Sequence, residues 1–250
     1  MSGLMQVHGL TRRFGGLVAV NDVSLELNVG EVHAVIGTNG AGKSTLINML
    51  SGEIAPSQGR ILLAGADITQ RPQARRALDG IGRSYQRTTI FPEFTARENC
   101  RLAAQAASPR PWAFWQTAQA CQRSGDAADA ALEATGLSAL SARVAGTLSH
   151  GAKRQLEVAM CLATQPRVLL LDEPLAGMGA EETERMLTLL ERLKPRHAVL
   201  LVEHDMDAVF RIAERITVMV NGSVIASGNP HAIRHDPQVR SAYLGEEELA

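Results

Sequence analysis

Only three cysteines occur in the 250 residues, Cys100, Cys121 and Cys161, an odd number with no Cys-x-x-Cys pair. That excludes a disulfide framework and a zinc ribbon, and fits buried thiols in a reducing compartment. Excess charge is also missing: 25 Lys and Arg against 26 Asp and Glu leave a formal net charge of -1. Without a global basic field nucleic acid is not an expected partner, and without an acidic excess there is no solvating tail, so any anion must be held locally. Long apolar runs are absent too. Segments 168–171 and 198–202 fall far short of the roughly 20 residues that span a bilayer, and residues 1–6 lack the charged region plus apolar run of a leader. The expectation is a chain neither secreted nor itself transmembrane. What is present is 45% hydrophobic residues, enough to build a core for one large domain or two small ones.

Segments 32–36, 168–171 and 198–202 are apolar or β-branched, and the first two run into polar, glycine-containing turns; they are predicted to be buried parallel strands ending in functional loops. Residues 93–165 shift toward alanine, glutamine, arginine and glutamate and are predicted to be mostly helical, broken by Pro109 and Pro111 and punctuated by Gly136, Gly146 and Gly151. Met186, Leu189, Leu190 and Leu193 follow helical spacing over 181–193, with Glu181 and Glu182 in the first turn, where the helix dipole favours negative charge. Residues 216–228 alternate like a hairpin around Asn221-Gly222. The expected fold is α/β, a core of about 1–92 and 166–250 with a helical subdomain of about 93–165, together one domain over 1–250.

The strand 32–36 runs into Gly37-Thr38-Asn39-Gly40-Ala41-Gly42-Lys43-Ser44, which fits the pattern Gly-x-x-x-x-Gly-Lys-Ser/Thr in its required strand–loop–helix setting. Such glycines let backbone N–H groups turn inward on a phosphate, Lys43 can reach β- and γ-phosphates, and the Ser44 hydroxyl can ligate Mg²⁺. Downstream, the strand 168–171 ends in Asp172-Glu173, an arrangement that puts one acid on a metal and another beside an attacking water. Between them, Leu148-Ser149-His150-Gly151-Ala152 begins a helix whose N-terminal end offers a hydroxyl and free N–H groups to an anion. Ser149 is not a hydrolase nucleophile, because the elbow needs a glycine where this chain has Thr147.

With these motifs in this order the chain resembles the ATP-binding-cassette family, whose signature begins Leu-Ser-Gly-Gly-Gln; His150 and Ala152 depart from it while Ser149 and Gly151 are in place. The resemblance extends over nearly the whole chain and implies a P-loop ATP-binding-cassette fold, a mixed β core with an inserted helical subdomain. It implies ATP and Mg²⁺ as ligands, with Asn39, Gly40, Gly42, Lys43, Ser44 and Thr45 on the nucleotide and Ser44, Gln86 and Asp172 at the metal. Glu173 is the implied general base, Gln86 the Q-loop glutamine and His204 the switch histidine on the γ-phosphate. Phe14 would stack on adenine, a core phenylalanine being the alternative, with Val20 beside the sugar. Ser149 and Gly151 would serve the nucleotide of a second protomer.

The D-loop departs most clearly: the family's Ser-Ala-Leu-Asp reads Leu175-Ala176-Gly177-Met178. That replacement, with segments 82–88, 148–151 and 242–245, is similar to the cassettes that drive uptake of branched-chain and other hydrophobic amino acids, in particular their larger ATPase subunit. So is the longer insert between Cys100 and Gly136, which carries an aromatic cluster at 112–115 in a chain with 4% aromatics; the cluster caps the helical subdomain or touches a partner. The resemblance implies transmembrane permease subunits, a second ATPase subunit in a homo- or heterodimer, indirectly a periplasmic solute-binding protein, and a peripheral place on the cytoplasmic face of the plasma membrane. Phe91, Phe94 and the helix start near Glu98 would receive a short helix of the membrane subunit, or else pack inside the helical subdomain. Related cassettes handling urea, aromatic acids or lipopolysaccharide remain alternatives. A soluble DNA-repair ATPase does not fit, since the interval between the two nucleotide motifs carries neither sustained heptads nor clustered cysteines.

Overall fold

A computed structural model describes residues 3–86, 89–107 and 121–244. The aromatic cluster at 112–115, residues 87 and 88, and Gly245 lie outside the described residues.

Among the described residues ten strands form two sheets. The first is antiparallel, in the order β2 (Leu17–Leu27), β1 (Met5–Phe14), β4 (Gln58–Leu63), β5 (Ala66–Asp67). The second runs β10 (Ser223–Gly228), β9 (Arg215–Val220), β3 (Val32–Gly37), β8 (Ala198–Val202), β7 (Val168–Asp172), β6 (Ile81–Arg83), parallel except for the edge pair β9–β10. Every residue of β3, β7 and β8 is buried, as near-continuous apolar strands covered on both faces must be. The three strands foreseen at 32–36, 168–171 and 198–202 are all there, and the hairpin foreseen at 216–228 turns at Asn221 (φ 49°) and Gly222 (φ 82°).

Helix α1 (Lys43–Ser51) packs its Leu46, Ile47, Met49 and Leu50 between the two sheets in one core with Val35, Leu170, Leu200 and the inner faces of β1, β2 and β4. The opposite face of the parallel sheet is covered by α5 (His150–Ala163), α6 (Ala180–Leu193) and α7 (Met206–Ile212), which bury Leu169, Leu171, Val199 and Leu201. A short α2 (Gln73–Leu78) flanks β6, and α8 (Pro230–His235) and α9 (Pro237–Val239) close the end beyond β9. Helices α3 (Ala96–Ala107), α4 (Gln122–Ala134) and α5 share a separate alanine-rich core that includes Cys100, Leu132, Leu148 and Leu156. The stretch foreseen as mostly helical thus holds three α-helices among its described residues, with turns and 3-10 segments from Thr135 to Ser149. Cys100 and Cys161 are buried and Cys121 is half-buried, none in a disulfide. No helix among the described residues is long and apolar enough to cross a membrane.

Candidate functional site: a phosphate loop, a carboxylate pair and a second helix end

Strand β3 delivers the chain into the glycine loop and α1 carries it away. Gly42 caps the helix at φ 99°, and a Cβ there would strike the carbonyl oxygen of Ala19 in β2, so only glycine fits. The loop is held from its other side by backbone bonds: Gly222 N–H donates to Ala41 O (3.0 Å) and Asn21 N–H to Gly222 O (2.8 Å). Lys43 folds over the loop, its Nζ donating to Gly37 O at 2.6 Å and Thr38 O at 3.1 Å. An ammonium has three donors, so one is left for a ligand. Burial pushes the Lys43 pKa below the ordinary lysine range, against the pull of Glu173 and Asp172. Thr38, Asn39, Gly40 and Ser44 are exposed, Thr45 half-buried.

At the end of β7, Asp172 is buried; desolvation raises its pKa, opposed first by Arg83, whose Nη2 stands 3.7 Å from Oδ2. Glu173 takes a left-handed backbone (φ 50°), anchored by its N–H on Val202 O at 2.8 Å. Gln86, 87 positions earlier in the chain, donates from Nε2 to Glu173 Oε2 at 3.1 Å. His204 follows β8 with its side chain 61% exposed, Nδ1 at 3.7 Å from Glu203 Oε2. Lys43, Gln86, Asp172 and Glu173 therefore meet at one end of the parallel sheet, with His204 on the neighbouring strand. The donor set suits a magnesium nucleotide: the Lys43 ammonium over the glycine cradle suits phosphate oxygens, and a buried carboxylate and an exposed hydroxyl are the oxygen ligands Mg²⁺ takes from protein when phosphates complete its shell.

Phe14 is 43% exposed at the β1–β2 turn with the Arg12 guanidinium 4.6 Å above its ring, which removes the alternative of a core phenylalanine. Val20 requires a correction: it has no exposed surface and lies beneath Gly42, so it floors the loop and presents nothing to a sugar. Ser149 is the N-cap of α5, its Oγ accepting from Ala152 N–H at 3.2 Å. The side chain of Glu182, from α6, reaches this helix end and accepts from Gly151 N–H at 3.2 Å and Ser149 Oγ at 3.4 Å.

A family model described as ABC transporter matches residues 20–176, and one described as branched-chain amino acid ATP-binding cassette transporter matches residues 223–248. The chain belongs to the ATP-binding-cassette transporter family. This cassette is 40% identical over 97% of its length, and 98% of the relative's, to the high-affinity branched-chain amino acid transport ATP-binding protein BraF of Pseudomonas aeruginosa. It is 41% identical, with the same coverage of both chains, to the corresponding protein LivG of Escherichia coli K12. A crystal structure of the ADP conformation of an ATP-binding cassette superposes with a TM-score of 0.85 at 29% identity, covering 98% of this chain and all of that one.

Several residues that hold the cassette's site together escaped the sequence reading. Arg154 of α5 donates to Tyr85 O (3.1 Å), Gln86 O (2.8 Å) and Glu157 Oε2 (3.0 Å), while Glu157 Oε1 accepts from Thr89 N–H at 2.9 Å. This buried pair grips the chain on both sides of Gln86. Burial raises the Glu157 pKa, opposed by the Thr89 amide and Arg154. Glu203, fully buried, accepts from Leu175 N–H at 2.8 Å and His204 N–H at 3.1 Å, tying the D-loop to the strand end that carries the histidine. The two departures from the family pattern face each other: Gly177 (φ 75°) lies against the His150 ring, and a Cβ on residue 177 would come within 3.1 Å of its Cε1. A larger D-loop residue would press on the histidine that replaces the signature glycine.

Proposed function

We propose that this cassette is the ATP-hydrolysing subunit of an importer that takes up branched-chain or other hydrophobic amino acids, or closely related small solutes, through separate permease subunits. It works at the cytoplasmic face of the plasma membrane, paired with a second cassette and served by a periplasmic solute-binding protein. The observation that carries the solute class is the match of residues 223–248, near the end of the chain, to the branched-chain cassette model, in accord with the whole-length similarity to BraF and LivG.

In this reading Glu173 is the general base, kept aimed by Gln86 and by its own strained backbone, and Lys43 meets the charge that develops on the γ-phosphate. Ser44, Asp172 and Gln86 hold Mg²⁺, which neutralises phosphate charge. His204, half free of the protein, turns toward the γ-phosphate, and Phe14 offers an exposed face to adenine. Asn39, Gly40, Gly42 and Thr45 complete the nucleotide cradle, and Ser149 and Gly151 serve the nucleotide held by the partner. The permease docks at Phe91 and Phe94, 50% and 42% exposed, whose rings stack with centroids 5.6 Å apart. Buried Asn99 fixes this loop by accepting from Phe91 N–H at 2.7 Å and donating to Phe91 O at 3.0 Å, so the pair is presented rigidly.

The test is transport and ATP turnover by the complex reconstituted in vesicles. Glu173→Gln is expected to bind ATP normally and to lose turnover and uptake together; Phe91→Ala is expected to keep ATP binding by the separate chain and to lose assembly or uptake. Normal turnover by Glu173→Gln would remove the base assignment, and normal uptake by Phe91→Ala would remove the docking site. Glu98 is unsuitable for this purpose: its carboxylate accepts from Thr95 N–H (2.9 Å) while Thr95 Oγ1 accepts from Glu98 N–H (3.1 Å), a capping box that starts α3.

A further inference from the structure

The helix end at Ser149 is the second anion-receiving end in the molecule, and its occupant here is a side chain of the same protomer. Glu182 lies in the first turn of α6, 31 residues beyond Gly151, yet its Oε1 takes the Gly151 N–H at 3.2 Å and the Ser149 hydroxyl at 3.4 Å. The approach is close enough that a Cβ on residue 151 would collide with this carboxylate. A carboxylate on the amide and hydroxyl of a helix N-terminus offers what a terminal phosphate offers there: anionic acceptor oxygens attracted to the positive end of the dipole. The contact is long for a charge-assisted bond. Ser149 Oγ is moreover shared with Ala152 N–H.

We propose that Glu182 is an internal ligand of the signature helix end, seated where the γ-phosphate of the partner's ATP arrives, and that its displacement sets the ATP concentration at which two cassettes close. The inference rests on the composite-site reading above, in which Ser149 and Gly151 serve the opposite nucleotide. Glu182 has somewhere to go. It lines a cleft of about 460 Å³ between α6, the start of α5 and the segment after α4; Arg185 in the same wall already pairs with Glu181 at 3.5 Å, which leaves Arg192 as the cation for the displaced carboxylate. While seated, it lowers the fraction of protomers competent to receive phosphate, and apparent affinity falls by that fraction: a carboxylate seated four-fifths of the time weakens closure about fivefold.

The experiment follows ATP-driven closure by sedimentation in the Glu173→Gln background, with the chain alone and together with its partner cassette. Adding Glu182→Gln, which keeps the shape and removes the charge, is expected to lower the half-closure ATP concentration about fivefold. Glu182→Asp, one methylene too short to seat, is expected to move it the same way. Glu181→Gln, on the same turn, removes the same charge and frees Arg185 from its ion pair at 3.5 Å, and is expected to shift closure less than Glu182→Gln. If Glu182→Gln closes at the same or a higher ATP concentration while remaining folded by circular dichroism, or if Glu181→Gln shifts closure equally, Glu182 is an ordinary helix cap and the proposal fails by itself. If the Glu173→Gln parent fails to close with either partner, the composite-site reading falls first and takes this inference with it.

Discussion

The two helix ends that the proposed function assigns to phosphate are finished in opposite ways. The N-terminus of α1 is capped by Gly42 with no side-chain acceptor and no acid in its first turn. The N-terminus of α5 has a serine cap on Ala152 and the Glu182 carboxylate on Gly151. Orphan helix amides demand partners. In the proposed reading, the amides of α1, left without a side-chain acceptor, are those that take a ligand directly, whereas those of α5, satisfied internally, would take one by exchange. The first end is poised in a single protomer, and the second is available once something better than a carboxylate arrives.

The comparison can be broken most forcefully at the α1 end. Lys43→Ala removes the charge that no other side chain at the loop replaces, and nucleotide affinity is expected to fall at least about a hundredfold, on the order of 3 kcal/mol. Titration calorimetry of the separate chain measures it; an unchanged affinity would mean that the loop amides alone hold the phosphates. A variant joining the two ends tests whether they are mechanically separate. Arg154 is 8% and Glu157 3% exposed at the side chain, so Arg154→Ala strands a buried carboxylate and should destabilise the fold by roughly 3–5 kcal/mol in denaturant unfolding. The double variant Arg154→Met/Glu157→Met is expected to recover much of that stability while ATP turnover stays low, because the grip on the Tyr85 and Gln86 carbonyls is gone. Recovery of turnover along with stability would show that Gln86 needs no such grip. The smallest effect belongs to the α5 cap: Ser149→Ala should lower stability by only about 1 kcal/mol and leave nucleotide affinity of the separate chain unchanged. A fall in that affinity would place Ser149 in its own protomer's site and erase the distinction between the two ends.

How much of this could be read in advance follows from sequence distance. The parallel strands, the glycine loop, the hairpin and α6 announce themselves because each pattern is complete within a short stretch of chain, at most the 14 residues of α6. The antiparallel sheet does not: β1 alternates at Met5 and Val7, then its register shifts on either side of Leu10 beside Gly9 (φ 59°), and the period of two is lost. Arg154 and Glu157 sit three apart on an otherwise apolar helix face, a local oddity that signals burial of a pair but not what it grips. Glu203 carries a similar signal, an acid directly after an all-apolar strand. Glu182 carries none, since an acid in a first helical turn is expected on dipole grounds alone; only the packing of α6 against α5 shows what it reaches. The Val20 assignment rested on the resemblance alone, and nothing local in the sequence shows that it turns inward between half-buried Ala19 and exposed Asn21.

The backbone bond that fastens the phosphate loop to Gly222, a residue held in turn by Asn21, also gives the loop a place in time. A ribosome releases the loop's own residues early, by position 44, but the second half of its clasp lies in the turn between the last two strands, almost 180 residues later. Until that turn emerges, β3 lacks the neighbour strand β9 and the loop lacks the amide of Gly222. Contacts so distant along the chain form late. The loop is therefore expected to take its rigid shape only once the β9–β10 hairpin has emerged, long after its own residues.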